Sequence, residues 1–148
     1  MLRFILVALA AFAALGCGLM LSSAHPQTPA PVIAGEWTGK YICGQGITAL
    51  RLSVADAGKG GISATFIFGP LPENPDVPRG AYRMEGSFDS LTRKMQLHGI
   101  KWIDAPNGYV MVDLDGRMDA DGARISGLVP EWPGCTVFEV SRSASLIS

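Results

Sequence analysis

From Gly35 onward, apolar residues recur at every second position, and this period of two restricts the chain to half-buried β-strands. Leu50, Leu52 and Val54 share one face; Ile62, Ala64, Phe66 and Phe68 share the next. Tyr82, Met84, Gly86 and Phe88 follow, then Met95 with Leu97, then Val110, Val112 and Leu114. The flanking segments 36–43, 124–129 and 135–141 bring the expected count to eight strands, and no stretch after residue 35 keeps a helical period for three turns. Short consecutive strands joined by turn residues predict an all-β domain over 35–142. The expected form is an antiparallel eight-stranded up-and-down barrel, with a β-sandwich as the alternative.

The first residues, MLRFILVALAAFAALGCGLMLSSA, place Arg3 before an apolar run from Phe4 to Leu21, with Ser22 and Ala24 at a small-residue site. That order predicts a signal peptide and its helix over 1–24. A membrane anchor is the competing reading of the same run. The segment Ala14-Leu15-Gly16-Cys17 resembles a bacterial lipoprotein box, which would place an acyl chain on Cys17. Periplasmic or secreted placement is therefore expected, with membrane attachment only through a lipidated Cys17. Residues 25–34 carry three prolines and no period, so they read as a flexible lead-in, and 143–148 read as a tail. Loss of Arg3 leaves a net charge of about −2, which gives no support to a nucleic-acid or anionic-membrane partner.

An oxidising compartment implies that Cys43 and Cys135 are bonded. Cys43 ends the first strand and Cys135 begins the last. A disulfide needs Cα atoms within about 7 Å, whereas the outer strands of an open eight-strand sheet lie several spacings of about 4.8 Å apart. The bond thus argues for closure, or for a sandwich that stacks first and last strands.

In an up-and-down barrel alternate connections share a rim. One set, 55–61, 89–93 and 119–123, consists of short polar turns. The other set is 44–47, GPLPENPDVPRG (69–80), HGIKWIDAPNGY (98–109) and VPEWPG (129–134); it holds Trp102, Tyr109 and Trp132, and both cysteines adjoin it. Such asymmetry is expected of a scaffold with one working end. Trp102, Tyr109 and Trp132, with Arg79 and Glu73 from the proline-rich loop, are the candidate ligand contacts. The alternative role for that loop is a plug, held down by the aromatics.

The run G-E-W-T-G-K-Y, residues 35–41, resembles the first strand of the calycins, the lipocalin and avidin type of barrel. That resemblance implies a small ligand-binding barrel whose narrow end is closed by Trp37. The pattern from Gly35 to Arg142, with C-G-Q-G, W-I-x-x-P-x-G-Y and a closing G-C-x-x-F, is also similar to small exported bacterial domains of unassigned function.

Catalytic signals are absent from the sequence. D-L-D-G-R-M-D-A-D-G (113–122) fails the spacing of a calcium loop, since residue 117 is Arg and residue 128 Leu where acids would stand, and it reads as D-G turns. There is no nucleophile elbow, zinc-binding helix or phosphate loop; His98 lies on a polar strand face, and Glu73, Asp76 and Asp104 are merely acids in rim loops. The expectation is a non-enzymatic binding protein without cofactor or metal. It would take a small apolar or amphipathic ligand; the alternatives are a protein-binding module such as a protease inhibitor using 69–80, or an envelope-attached lipoprotein.

Overall fold

A computed structural model of the protein describes Ala24 and residues 26–143. The signal peptide, its anchor and lipoprotein alternatives at Cys17, and the tail beyond Ser143 lie outside the described residues.

The eight strands are β1 (Gly35–Cys43), β2 (Gly46–Gly58), β3 (Gly61–Gly69), β4 (Gly80–Phe88), β5 (Lys94–Asp104), β6 (Leu114–Met118), β7 (Arg124–Leu128) and β8 (Val137–Arg142). Each pairs antiparallel with its successor, and β8 returns to β1 through the register Trp37↔Arg142 to Tyr41↔Phe138. The sheet is a closed barrel, not a sandwich. Closure pairs the first strand with the last, while β5 beyond Leu97 is paired with β4 but not with β6.

The period of two is realised as an inside and an outside. Leu52, Phe66, Tyr82, Leu97, Phe138 and Val140 are all under 2% exposed and point into one continuous core. Each such side chain stabilises the fold by about 1.5–3 kcal/mol relative to exposure. Aromatic rings run through this core in contact: Tyr41 to Phe66 at 5.2 Å, Phe66 stacked on Tyr82 at 4.6 Å, and Phe66 to Phe68 at 6.1 Å. Side chains, rather than a calyx, occupy the middle of the barrel. Glycine allows the tight curvature this requires: a Cβ on Gly86 would stand 1.8 Å from the Gln96 carbonyl oxygen of the neighbouring strand.

At the end where β1 begins, Trp37 is fully buried and its Nε1 donates to the Ile33 carbonyl at 2.9 Å. Arg142 lays its guanidinium 4.2 Å from the Trp37 ring centroid and donates to the carbonyls of Val32 and Ala34. With Ile33 only 5% exposed, the last residues of the lead-in are fastened across this end.

The structure departs from the period-two reading at β5 and β6. The strand expected to stop near His98 continues to Asp104, with one extra residue inserted at Ile100, between Met84↔Gly99 and Arg83↔Lys101, and another at Ile103, between Tyr82↔Trp102 and Ala81↔Asp104. A bulge of this kind reverses which parity faces inward, so Trp102 pairs with Tyr82 while the alternation in the sequence breaks. Trp102 therefore sits in a strand and not in a rim loop. Residues 110–113, expected as strand, belong to the β5–β6 connection, where Val112 is buried and Val110 is 46% exposed. Asp115-Gly116 is likewise inside β6 and not a turn; the glycine makes room for the Phe138 ring. Asp121-Gly122 does form a turn, with Gly122 at φ +74°. Cys135 precedes β8 by two residues instead of opening it.

Candidate binding cleft at the disulfide rim

Connections β1–β2, β3–β4, β5–β6 and β7–β8 emerge at one end of the barrel, and Cys43 and Cys135 are bonded there. The bond fixes a tight turn. Cys135 N donates to the Trp132 carbonyl at 3.1 Å, Thr136 N donates to the Ile42 carbonyl at 3.0 Å, and Gly134, at φ +84°, rests against Gly44. A Cβ at that φ would be strained, and the φ lets the chain turn back onto the β1–β2 corner. Trp132 is thereby held on a short tether with its side chain 45% exposed.

A cleft of about 250 Å³ opens beside it, walled by Tyr41, Gln45, Tyr109, Val110, Trp132 and Pro133 and reaching the disulfide. Tyr109 is placed from below and behind. Its ring stacks on Phe68 with centroids 5.5 Å apart and planes 18° apart, and its amide donates to the Pro106 carbonyl at 3.2 Å. The rest of this loop is clamped by Tyr82, whose hydroxyl donates to the Val112 carbonyl at 2.9 Å and accepts from Val112 N at 3.1 Å.

The polar groups of the cleft come from β1 and the turn after it. Gln45 Nε2 donates to the Tyr41 hydroxyl at 3.1 Å and to Thr48 Oγ1 at 3.0 Å, and Thr48 donates to the Gly46 carbonyl. Tyr41 accepts in this network, so its own proton is left for a further acceptor. Burial pushes the Tyr41 pKa above the usual tyrosine value, so the hydroxyl keeps its proton well into alkaline conditions.

The proline-rich loop is pinned rather than free. Asn74 Nδ2 donates to the carbonyls of Gln45 at 2.8 Å and Ile47 at 2.9 Å, while Val77 is buried. Glu73 and Arg79 stay exposed on this loop, outside the cleft; the Arg79 stem lies over Gly69. Asn74→Ala should cost about 1–2 kcal/mol, because it leaves two partly buried carbonyls without partners. Urea unfolding of the variant, compared with Glu73→Ala as a control within about 0.5 kcal/mol of the parent, checks this.

Of the five contacts expected from the sequence, the structure brings Tyr109 and Trp132 to one cleft. Trp102 packs edge-on against Tyr82 at 5.1 Å and Phe68 at 6.4 Å and supports the rim from within. No family model and no curated protein matches this chain. What the cleft can hold therefore follows from its lining. No residue that lines it carries a charge, so neither a phosphate, a carboxylate nor an amine would find a counter-ion there. Sequence reasoning missed Tyr41, Gln45 and Asn74. Tyr41 was within reach, since it shares the inward parity of Trp37; Gln45 and Asn74 carry no periodic signal.

One acid–histidine pair stands apart from the cleft. His98 Nδ1 lies 2.9 Å from Asp113 Oδ2 with the imidazole mostly exposed on the barrel's outer face. Asp113 also accepts from Gly99 N at 3.0 Å, so it joins the bulge in β5 to the β5–β6 loop. Among the described residues no three His, Cys, Asp or Glu side chains gather at metal-binding distance.

Proposed function

We propose that this protein is a non-catalytic binding protein that works outside the reducing cytoplasm and captures an uncharged apolar or aromatic group at the disulfide rim. The observation that carries this reading is a core filled by side chains beneath an uncharged aromatic cleft of about 250 Å³. A lipocalin-like mode, with a ligand deep in the barrel, has no support from a middle occupied by Phe66, Tyr82 and Leu52. A rim site does, because Trp132 stands exposed on a rigid turn, and large rings on pre-ordered elements bind with little loss of side-chain freedom. The closed eight-stranded barrel is consistent with a calycin-like fold, and membership of the lipocalin or avidin type belongs to this proposal. The disulfide is in keeping with an oxidising, extracytoplasmic location.

The neutral fluorophore N-phenyl-1-naphthylamine tests the site. Its emission should rise and saturate with the oxidised protein, and the signal should fall at least tenfold in Trp132→Ala while the unfolding midpoint is unchanged. An equal rise with that variant would place the dye elsewhere and overturn the reading.

A further inference from the structure

We infer that the natural occupant of the cleft is an extended, proline-bearing stretch of a partner polypeptide. This rests on the rim reading above and names its ligand class.

Three observations converge on it. The cleft offers a ligand's carbonyl groups a free donor, Trp132 Nε1, which has no partner among the described residues, beside the Tyr41 hydroxyl. A segment rich in proline offers the complement, since each proline presents a carbonyl acceptor and no N–H. The walls are aromatic faces and the lining is uncharged, which is how grooves that dock polyproline II segments are built.

Second, the strands beneath Trp132, β1 and β8, are each paired on both sides, so an extended peptide cannot be added to them as a further strand. Side-chain recognition is the route left to it.

Third, an exposed apolar row lies on the outer wall of the strands that lead into and out of the disulfide turn, and its length suits an elongated ligand. Leu128 pairs with Val137 across β7 and β8, and one step beyond Tyr41↔Phe138 the register sets Val137 beside Ile42. These three point outward at 59%, 46% and 38% exposure, in one row just below the rim. Farther from the rim the same outer face is polar, with Lys40, Glu139 and Ser126 side by side. A chain seated between Tyr109 and Trp132 can lay its flanking apolar residue on this row. An isolated small molecule would leave the row uncovered.

The experiment titrates the oxidised, isotope-labelled protein with a blocked, uncharged oligoproline and, in parallel, with a blocked Gly-Ser peptide of equal length. The oligoproline should shift the Trp132 indole N–H and the Gln45 side-chain amide saturably in the nuclear magnetic resonance spectrum, and the Gly-Ser peptide should not. Trp132→Phe keeps a ring and removes the donor, so its affinity should drop about fivefold, the value of one neutral hydrogen bond. No saturable shift, or equal shifts with both peptides, overturns the inference. If N-phenyl-1-naphthylamine still binds that same sample, the rim reading survives and only the peptide assignment falls; if neither binds, both fall.

Discussion

Replacing Cys43 and Cys135 together by alanine lowers the unfolding free energy by up to about 4–5 kcal/mol, the chain-entropy expectation for a loop spanning 92 residues. That is a large part of the 5–15 kcal/mol by which single domains are usually stable. The barrel itself should persist under native conditions. Its closure is carried by five residue pairs between β1 and β8, and the bond acts chiefly by restricting the unfolded chain. The folded-state effect is local: Trp132 loses the covalent tie that holds its turn against β1. Urea unfolding of the oxidised protein, the reduced protein and the double variant measures the first part. The dye titration on the reduced protein measures the second, with weaker binding expected while circular dichroism is retained. A stability change under about 1 kcal/mol would mean that the bond adds nothing to the fold.

Phe66→Ala should be comparably severe, at about 3–5 kcal/mol. Phe66 is fully buried and touches three other rings, with Tyr41 edge-on at 5.2 Å, Phe68 at 6.1 Å and Tyr82 stacked at 4.6 Å. Truncation removes the transfer free energy of the ring and leaves a cavity that a closed sheet is poorly placed to collapse. Aromatic contacts of this kind contribute a further 0.5–1.5 kcal/mol or so each in favourable geometry. Because Tyr41 lines the cleft and Phe68 backs Tyr109, dye affinity should fall along with stability. Phe66→Leu should recover most of the stability but less of the binding. Leu91→Ala, at a position 92% exposed in the β4–β5 turn, is the matched control and should stay within about 0.5 kcal/mol of the parent. Loss of stability without any change in dye binding would separate the core from the cleft and contradict the placement of Tyr41 and Tyr109.

Much of the barrel is legible because alternation is a local signal with a global meaning. Once Leu50, Leu52 and Val54 face one way, only one side of the sheet can be the inside. Cys43 and Cys135 add the single long-range constraint, which a closed barrel or a sandwich stacking the first and last strands would satisfy, and the structure realises the barrel. β5 shows where such reading stops. Its bulge at Ile100 is decided by how β4 and β5 meet around Gly99, where an added Cβ would press on Met111 and Tyr82, and no pattern within residues 94–104 announces it. Reading through the bulge as if it were a loop moved Trp102 to the rim and turned 110–113 into a strand. The proline-rich loop is a similar case. Its composition marks a stiff connection, but its direction is set by Asn74 reaching two carbonyls more than 25 residues away.

The sequence by itself determined that this chain forms strands, how many, which residues of β2, β3, β4 and the first half of β5 face inward, and which four connections share an end. These depend on neighbours two positions apart, and on the parity of an up-and-down path. Only the tertiary structure decided that the middle is filled rather than hollow, that Tyr41 and Gln45 meet Tyr109 and Trp132 across one cleft, and that Ile42, Val137 and Leu128 form an exposed row. Those facts depend on shear and register between strands far apart in the chain, where shifting a pair by one residue exchanges the inside for the outside.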